Sequence, residues 1–375
     1  MDKKYFGQIK LGLIQRGLTV PTMLRGLSEV SRGLCSGEPG EEITLALAEG
    51  FIVKALLNPP DKDGPKLISQ QDQLRLYMEE GETDVSIVSV PEFLKQQLKR
   101  RTPVSENICL DGYCFNVFLR AMGREKKLSM PIEAVLSVIQ AAFEEGAADL
   151  VQLNMDYTND DDSGFQRLAP LVEAIKKRFN TFVAFKGFPP ADKSIIDLVY
   201  ASGFDIVNFP LGGFNGTAKS KKIMGAEKIY TALEYASGVF SPGTVWTDLV
   251  MSPGSQDQFK EGIDRLTDSG IIPLILLQRD SEIGSSTYSN LVELADHMDQ
   301  AIQRNGLPLK WLYPACRFLS PLDTQFFTED PLKARLAVTP VYRSGFGKRT
   351  SAGFAAFRRK LRIRNVNDSF ESAGL

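Results

Sequence analysis

From residue 107 to residue 304, short apolar runs alternate with amphipathic stretches, the rhythm of repeated βα units. The runs predict strands at 115–119, 150–154, 181–185, 205–209, 244–250 and 272–277. Apolar positions at helical spacing predict helices at 131–145, 165–179, 191–201, 225–237, 256–269 and 288–304. Pro131 opens the first of these helices, and Gly146, Gly203 and Gly270 follow others, as helix boundaries favour. Six consecutive units without a dinucleotide-binding glycine fingerprint favour a barrel, or most of one, over a doubly wound sheet.

The first hundred residues have a different texture. Leu11, Leu13, Ile14 and Leu18 are spaced for one helix face, and 41–57 reads as a buried helix stopped by Asn58, Pro59 and Pro60. Alternation over 84–90 predicts a strand. The expected organisation is a mainly helical N-terminal region at 1–104, a βα barrel at 105–305 and a C-terminal extension at 306–375.

Composition changes this picture in three places. The 375 residues are 43% hydrophobic and 24% charged, ordinary for a chain with a sizeable core. The net charge of -2 hides an asymmetry, since 331–367 holds ten Lys and Arg and no acid. Within it, the basic tail from Lys348 to Arg364 includes FRRKLRIR at 357–364. Such a segment suits an anionic membrane surface or an acidic protein partner, or else packs its apolar side on the barrel. No motif for specific nucleic-acid binding accompanies it. Four cysteines are too few for a disulfide framework in a chain this long. No apolar leader follows Met1, and the longest apolar stretch is broken by Glu49 and Lys54, so a cytoplasmic protein is expected. His297 is the one histidine and lies in an acidic helix, which excludes histidine triads and histidine-rich zinc sites.

Two cysteines share the stretch NICLDGYC, 107–114. Asp111 and Gly112 between apolar runs signal a two-residue hairpin turn, which pairs Leu110 with Tyr113 and sets Cys109 opposite Cys114. The pair reads as a cross-strand disulfide, as weak metal-ligand candidates for a soft ion, or as two small buried apolar residues; the last is favoured in a reducing compartment.

In a βα barrel, function sits where strands end. Gln152, Asn154 and Asp156 share parity, as do Ala184 with Lys186, Ile206 with Asn208, and Trp246 with Asp248. Gln278 and Arg279 end the sixth strand. Asp156, Lys186 and Asp248 are the catalytic candidates. Lys186 reads as a Schiff-base nucleophile or, preferably, as the counter-ion of Asp156 or Asp248. The ligand-binding candidates are Arg120, Asn154, Asn208, Gly212, Gly213, Gln278 and Arg279, with Gly212 and Gly213 in a glycine-rich loop. Arg120, Arg124, Lys126 and Lys127 make a positive loop, either an anion site or a solvated surface.

The run EKIYTALEYASGVFSPGTVWTDLV, followed by QFKEGIDRLTDSGIIPLILLQRD, resembles the fifth and sixth units of radical S-adenosylmethionine (radical SAM) enzymes, in particular the biotin-synthase-like branch. LSMPIEAVLSVIQAAFEEGAADLVQLNMD is similar to that family's first helix and second strand, and the likeness spans 109–304. It implies an α/β fold, a radical-SAM-like (β/α)6 partial TIM barrel. The family's cysteine loop would fall at 120–130, which holds no cysteine. Its second-strand Gly-Gly-Glu appears as Asn154, Met155 and Asp156, and its fifth-strand glycine and glutamate as Met251, Ser252 and Pro253. The resemblance therefore implies a degenerate iron–sulfur motif and a pseudoenzyme: a small-molecule-binding or accessory protein with no expected cofactor. S-adenosyl-L-methionine stays open as a ligand, and an iron–sulfur cluster is not expected. An active radical SAM enzyme, a non-redox barrel enzyme using the same pocket, and a membrane-surface or partner-docking module are the alternatives.

Overall fold

The computed structural model describes residues 3–21, 31–32, 41–48, 51–59, 62–70, 73–79, 81–100, 102, 104–119, 121–122, 127–157, 161–212, 224–250, 256–277, 285–313 and 315–327. The chain divides into two units. One comprises Met1–Val90, Leu211–Ile223 and Thr247–Thr339, the other Pro91–Pro210, Met224–Trp246 and Pro340–Leu375.

The second unit carries the βα repeats. Strand Cys114–Leu119 pairs in parallel with Leu150–Met155, which pairs with Phe182–Lys186, then Ile206–Asn208, then the start of Val245–Val250. Helices Ile132–Glu144, Phe165–Arg178, Ser194–Ala201 and Ala226–Val239 lie between successive strands in the chain. Neighbours in the sheet follow chain order without reversal, the singly wound order of a TIM-barrel-like α/β fold. The strand and helix positions agree with the sequence rhythm to within a few residues.

One face of this sheet is apolar throughout. Val117, Leu153, Phe185 and Val207 are in register and buried. Phe185 meets Phe165 of helix Phe165–Arg178 at 4.1 Å between ring centroids, and Phe204 at 5.8 Å. Phe115 likewise meets Phe93 at 6.1 Å. Burying each such side chain contributes about 1.5–3 kcal/mol, so this face holds the sheet to its helices.

The hairpin at the sheet edge differs from expectation. Asp111 pairs with Cys114 and Cys109 with Asn116, so the turn residues are Gly112 and Tyr113. Gly112 has φ 60, while Tyr113 is not among the positive-φ residues. A glycine at the first turn position with an ordinary second residue is the type II′ pattern. That moves the register by one residue on each strand and separates the two cysteines. Cys109 is disulfide-bonded and Cys114 is free, so neither a Cys109–Cys114 bridge nor two free buried cysteines describes the hairpin.

In the first unit, the expected helix at 41–57 is instead two antiparallel strands, Glu41–Ala48 and Phe51–Leu56. Ile43, Leu45 and Leu47 are buried at spacing two, as are Phe51, Val53 and Ala55. Period-two burial with Gly50 between the runs outweighs their helix-like apolar content. Strands Lys66–Gln70, Gln73–Met78 and Gly81–Ile87 extend this antiparallel sheet, so the N-terminal region is not mainly helical. Helix Lys3–Arg16 buries Leu11, Leu13 and Ile14 as the spacing predicts. It also buries Lys10 completely. The Lys10 ammonium donates to the carbonyls of Ala315 at 3.0 Å and Phe318 at 2.8 Å, lies 3.5 Å from Asp323 Oδ2, and sits 5.0 Å from the Phe51 ring centroid. Asp323 in turn accepts from the Ser320 backbone at 3.0 Å and hydroxyl at 2.8 Å. Also in this unit, Ile272–Leu276 pairs antiparallel with Phe318–Leu319. Among the described residues no helix is long and apolar enough to cross a membrane.

Candidate functional site

The opposite face of the parallel sheet in the second unit has different chemistry. Alternation along a strand sends Asn116, Gln152 and Asn154 away from the apolar face. Register aligns Asn116, Gln152, Ala184 and Ile206 in one row across four strands. The next row toward the C-terminal ends is Phe118, Asn154, Lys186, Asn208 and Trp246. Strand spacing of about 4.8 Å places Asn154, Lys186 and Asn208 within about 10 Å of backbone, the span of a small molecule.

Three amides in these rows bond to one another. Gln152 Nε2 donates to Asn116 Oδ1 at 2.8 Å and to Asn154 Oδ1 at 2.9 Å. Asn154 Nδ2 donates to Asn116 Oδ1 at 3.2 Å, and Asn116 Nδ2 to the Cys114 carbonyl at 3.2 Å. Asn116 and Gln152 are buried, whereas Asn154 is half-buried at the edge of the network. Buried amides are tolerated because their partners are supplied, and the mutual bonding orients the Asn154 amide.

Lys186 ends its strand half-buried. Its charge acts on Cys114, which shares this face. Burial pushes the Cys114 thiol well above its usual range, and Asp111 pushes the same way; Lys186 and the Asn116 hydrogen bond oppose them weakly. Cys114 is thus a neutral thiol at physiological pH, not a nucleophile. Gly187 follows Lys186, and a Cβ there would lie 2.8 Å from the Phe185 ring and 3.0 Å from the Met155 carbonyl, so only glycine fits. Beyond the strand ends, Tyr157 and Phe188 meet edge to face at 5.5 Å.

The structure brings Asn154, Lys186 and Asn208 into one row. Asp156 lies one residue past its strand and is exposed. Asp248 and Gly212 belong to the first unit, where Gly212 donates to the Asp248 carbonyl at 3.0 Å. Arg120, Gly213, Gln278 and Arg279 lie outside the described residues, as do Arg124, Lys126 and the basic tail. Asn116 was not anticipated. It stands between Phe115 and Val117 in a strongly apolar strand, and only its register with Gln152 reveals its role. Among the described residues, no group of three or more His, Cys, Asp or Glu side chains is placed to hold a metal ion.

No family model matches the chain, and no curated protein matches it. Among solved structures, the chain is similar to a dihydropteroate synthase of Yersinia pestis with a pterine–sulfa conjugate, at 18% identity and TM-score 0.30 over 53% of this chain and 69% of that one. It is also similar to the 7,8-dihydropteroate synthase of Vibrio fischeri ES114, at 14% identity and TM-score 0.29 over 53% of this chain and 72% of that one. Neither is a radical SAM enzyme. The radical SAM resemblance is overturned, and with it the degenerate-cluster, S-adenosylmethionine and pseudoenzyme reading of function. Helix wording shared by many βα units misled the comparison of short segments. At these TM-scores neither similarity assigns a substrate or an activity to this chain.

Proposed function

We propose that the amide-bearing face of the parallel sheet binds a small polar molecule carrying a negative charge. The observation that carries this reading is the single row Asn154, Lys186 and Asn208, backed by Asn116 and Gln152. An amide offers both a donor and an acceptor, so the row reads a neutral polar edge whose own donors and acceptors alternate. Lys186 is the charged side chain of the rows, and it supplies the attraction for an anionic group. The site stands at the C-terminal ends of parallel strands, where βα folds bind their ligands. Tyr157 and Phe188 give an apolar margin beside it.

The test uses the full chain and a panel of small carboxylates and phosphates, inorganic phosphate included, screened by thermal shift and followed by titration calorimetry. At least one member raises the melting temperature, and Lys186→Met weakens its binding at least about tenfold, about 1.4 kcal/mol. Asn154→Leu weakens it as well. A panel without a binder, or equal affinity for wild type and Lys186→Met, would overturn the reading.

A further inference from the structure

Large apolar side chains left in water on a folded surface are ordinary when scattered and informative when grouped. Among the described residues, six such side chains are exposed, and three of them, Leu198 at 62%, Tyr200 at 47% and Tyr235 at 37%, fall on one pair of helices. The helices are Ser194–Ala201 and Ala226–Val239, which pack against each other in the second unit. The Tyr235 hydroxyl donates to Asp197 at 2.9 Å, tying the two helices together across this face. The Tyr200 ring meets Phe240 edge to face at 5.1 Å, which fixes it in its exposed position.

The charges around these rings are mainly acidic. Asp192, Asp197, Glu227 and Glu234 are exposed on the same two helices or directly before them, against Lys193 and Lys228. Asp192 and Asp197 both bear on Tyr235, holding its hydroxyl proton more tightly than usual, chiefly through the Asp197 hydrogen bond. A partner for this face needs apolar anchors and a surplus of positive charge.

The chain contains such a segment. Residues 357–364, FRRKLRIR, combine Phe357, Leu361 and Ile363 with five basic residues and no acid. We propose that this segment docks on the acidic, aromatic face formed by Ser194–Ala201 and Ala226–Val239. Its apolar side chains cover Leu198, Tyr200 and Tyr235 while its arginines meet Asp192, Asp197 and Glu234. Several close charge pairs of one sense give the contact a salt dependence, because surface attraction is screened beyond about 8 Å at physiological ionic strength. The same acidic surplus disfavours an anionic membrane as the occupant of this face.

Zero-length carbodiimide coupling of the full chain tests this, since Lys360 lies within the segment and carboxylates line the face. Peptide mapping of the monomer band is expected to show Lys360 joined to Asp192, Asp197 or Glu234. The link is expected to be lost at high salt, and in the variant Arg358→Gln, Arg359→Gln, Arg362→Gln, Arg364→Gln, which keeps Lys360. A second variant, Leu198→Ser with Tyr235→Ser, leaves every carboxylate in place and is also expected to lose the link while circular dichroism stays unchanged. Lys360 coupled only to carboxylates elsewhere, coupled only within a dimer band, or not coupled at all would overturn the proposal. So would retention of the link in both variants.

Discussion

Two lysines in this molecule illustrate opposite uses of a buried positive charge. Lys10 has no exposure, and its ammonium meets two backbone carbonyls, a carboxylate and an aromatic face. Those partners come from residues some three hundred positions away, so the lysine closes the N-terminal helix onto the segment around 315–323. Lys186 is half-buried at the end of a strand, in a row with Asn154 and Asn208. The first environment is finished, with each donor direction aimed at protein. The second lies where a parallel strand stops and its polar side chains reach the surface. A charge enclosed by its partners serves the fold, and a charge at a strand end beside oriented amides serves a ligand.

The largest effect expected from this contrast is at Lys10. Lys10→Met removes the cation and leaves Asp323 buried without it, which should cost about 3–5 kcal/mol in chemical denaturation. A loss below about 1 kcal/mol would show that the enclosure contributes little.

Next comes the amide network. Gln152→Leu leaves the side-chain oxygens of Asn116 and Asn154 without a shared donor, and should cost about 1–3 kcal/mol. A neutral outcome would mean that the amides are bonded in some other arrangement.

The Cys114 thiol gives a pH signature. Its folded-state pKa is raised by burial, so the folded chain holds the proton more tightly than the unfolded chain does. The contribution is fully present below the unfolded thiol value of about 8.5 and is lost as pH rises above it. Stability should then fall by about 1.4 kcal/mol per pH unit from this group alone. Cys114→Ser, which does not titrate there, should remove that component of the slope. Identical slopes in the two proteins would place the thiol in contact with water.

The smallest effect on stability is expected at Lys186. Lys186→Met should change the unfolding free energy by less than about 1 kcal/mol while reducing ligand affinity. A loss comparable to that of Lys10→Met would make Lys186 a structural lysine and erase the comparison.

How much of this could be read from sequence follows from local periodicity. Each βα unit contains its own signal, an apolar run followed by a helical stripe, so strands such as Leu150–Met155 and helices such as Phe165–Arg178 were legible. The antiparallel sheet was not. In 41–57 the apolar residues are dense enough to suit a buried helix, and the alternation of Ile43, Leu45 and Leu47 is hidden by Ala46 and Ala48. Parity placed Asn154, Lys186 and Asn208 at corresponding strand positions. Asn116 escaped notice because its part in the network depends on cross-strand register, which no single strand reveals. The Cys109 partner escaped for a related reason: one residue of hairpin register decides what faces what, and the glycine took the first turn position. Lys10 could not be recognised from its own helix, since its partners lie near the other end of the described chain.

The most direct test of the central claim is to watch the amides themselves. In the full chain, the side-chain amide resonances of Asn116, Gln152 and Asn154 would be assigned and then titrated with the carboxylate or phosphate probe that gives the largest thermal shift. The account predicts saturable shifts at all three with one shared dissociation constant, abolished in Lys186→Met. A probe that binds and stabilises the protein while these three resonances stay in place would contradict it.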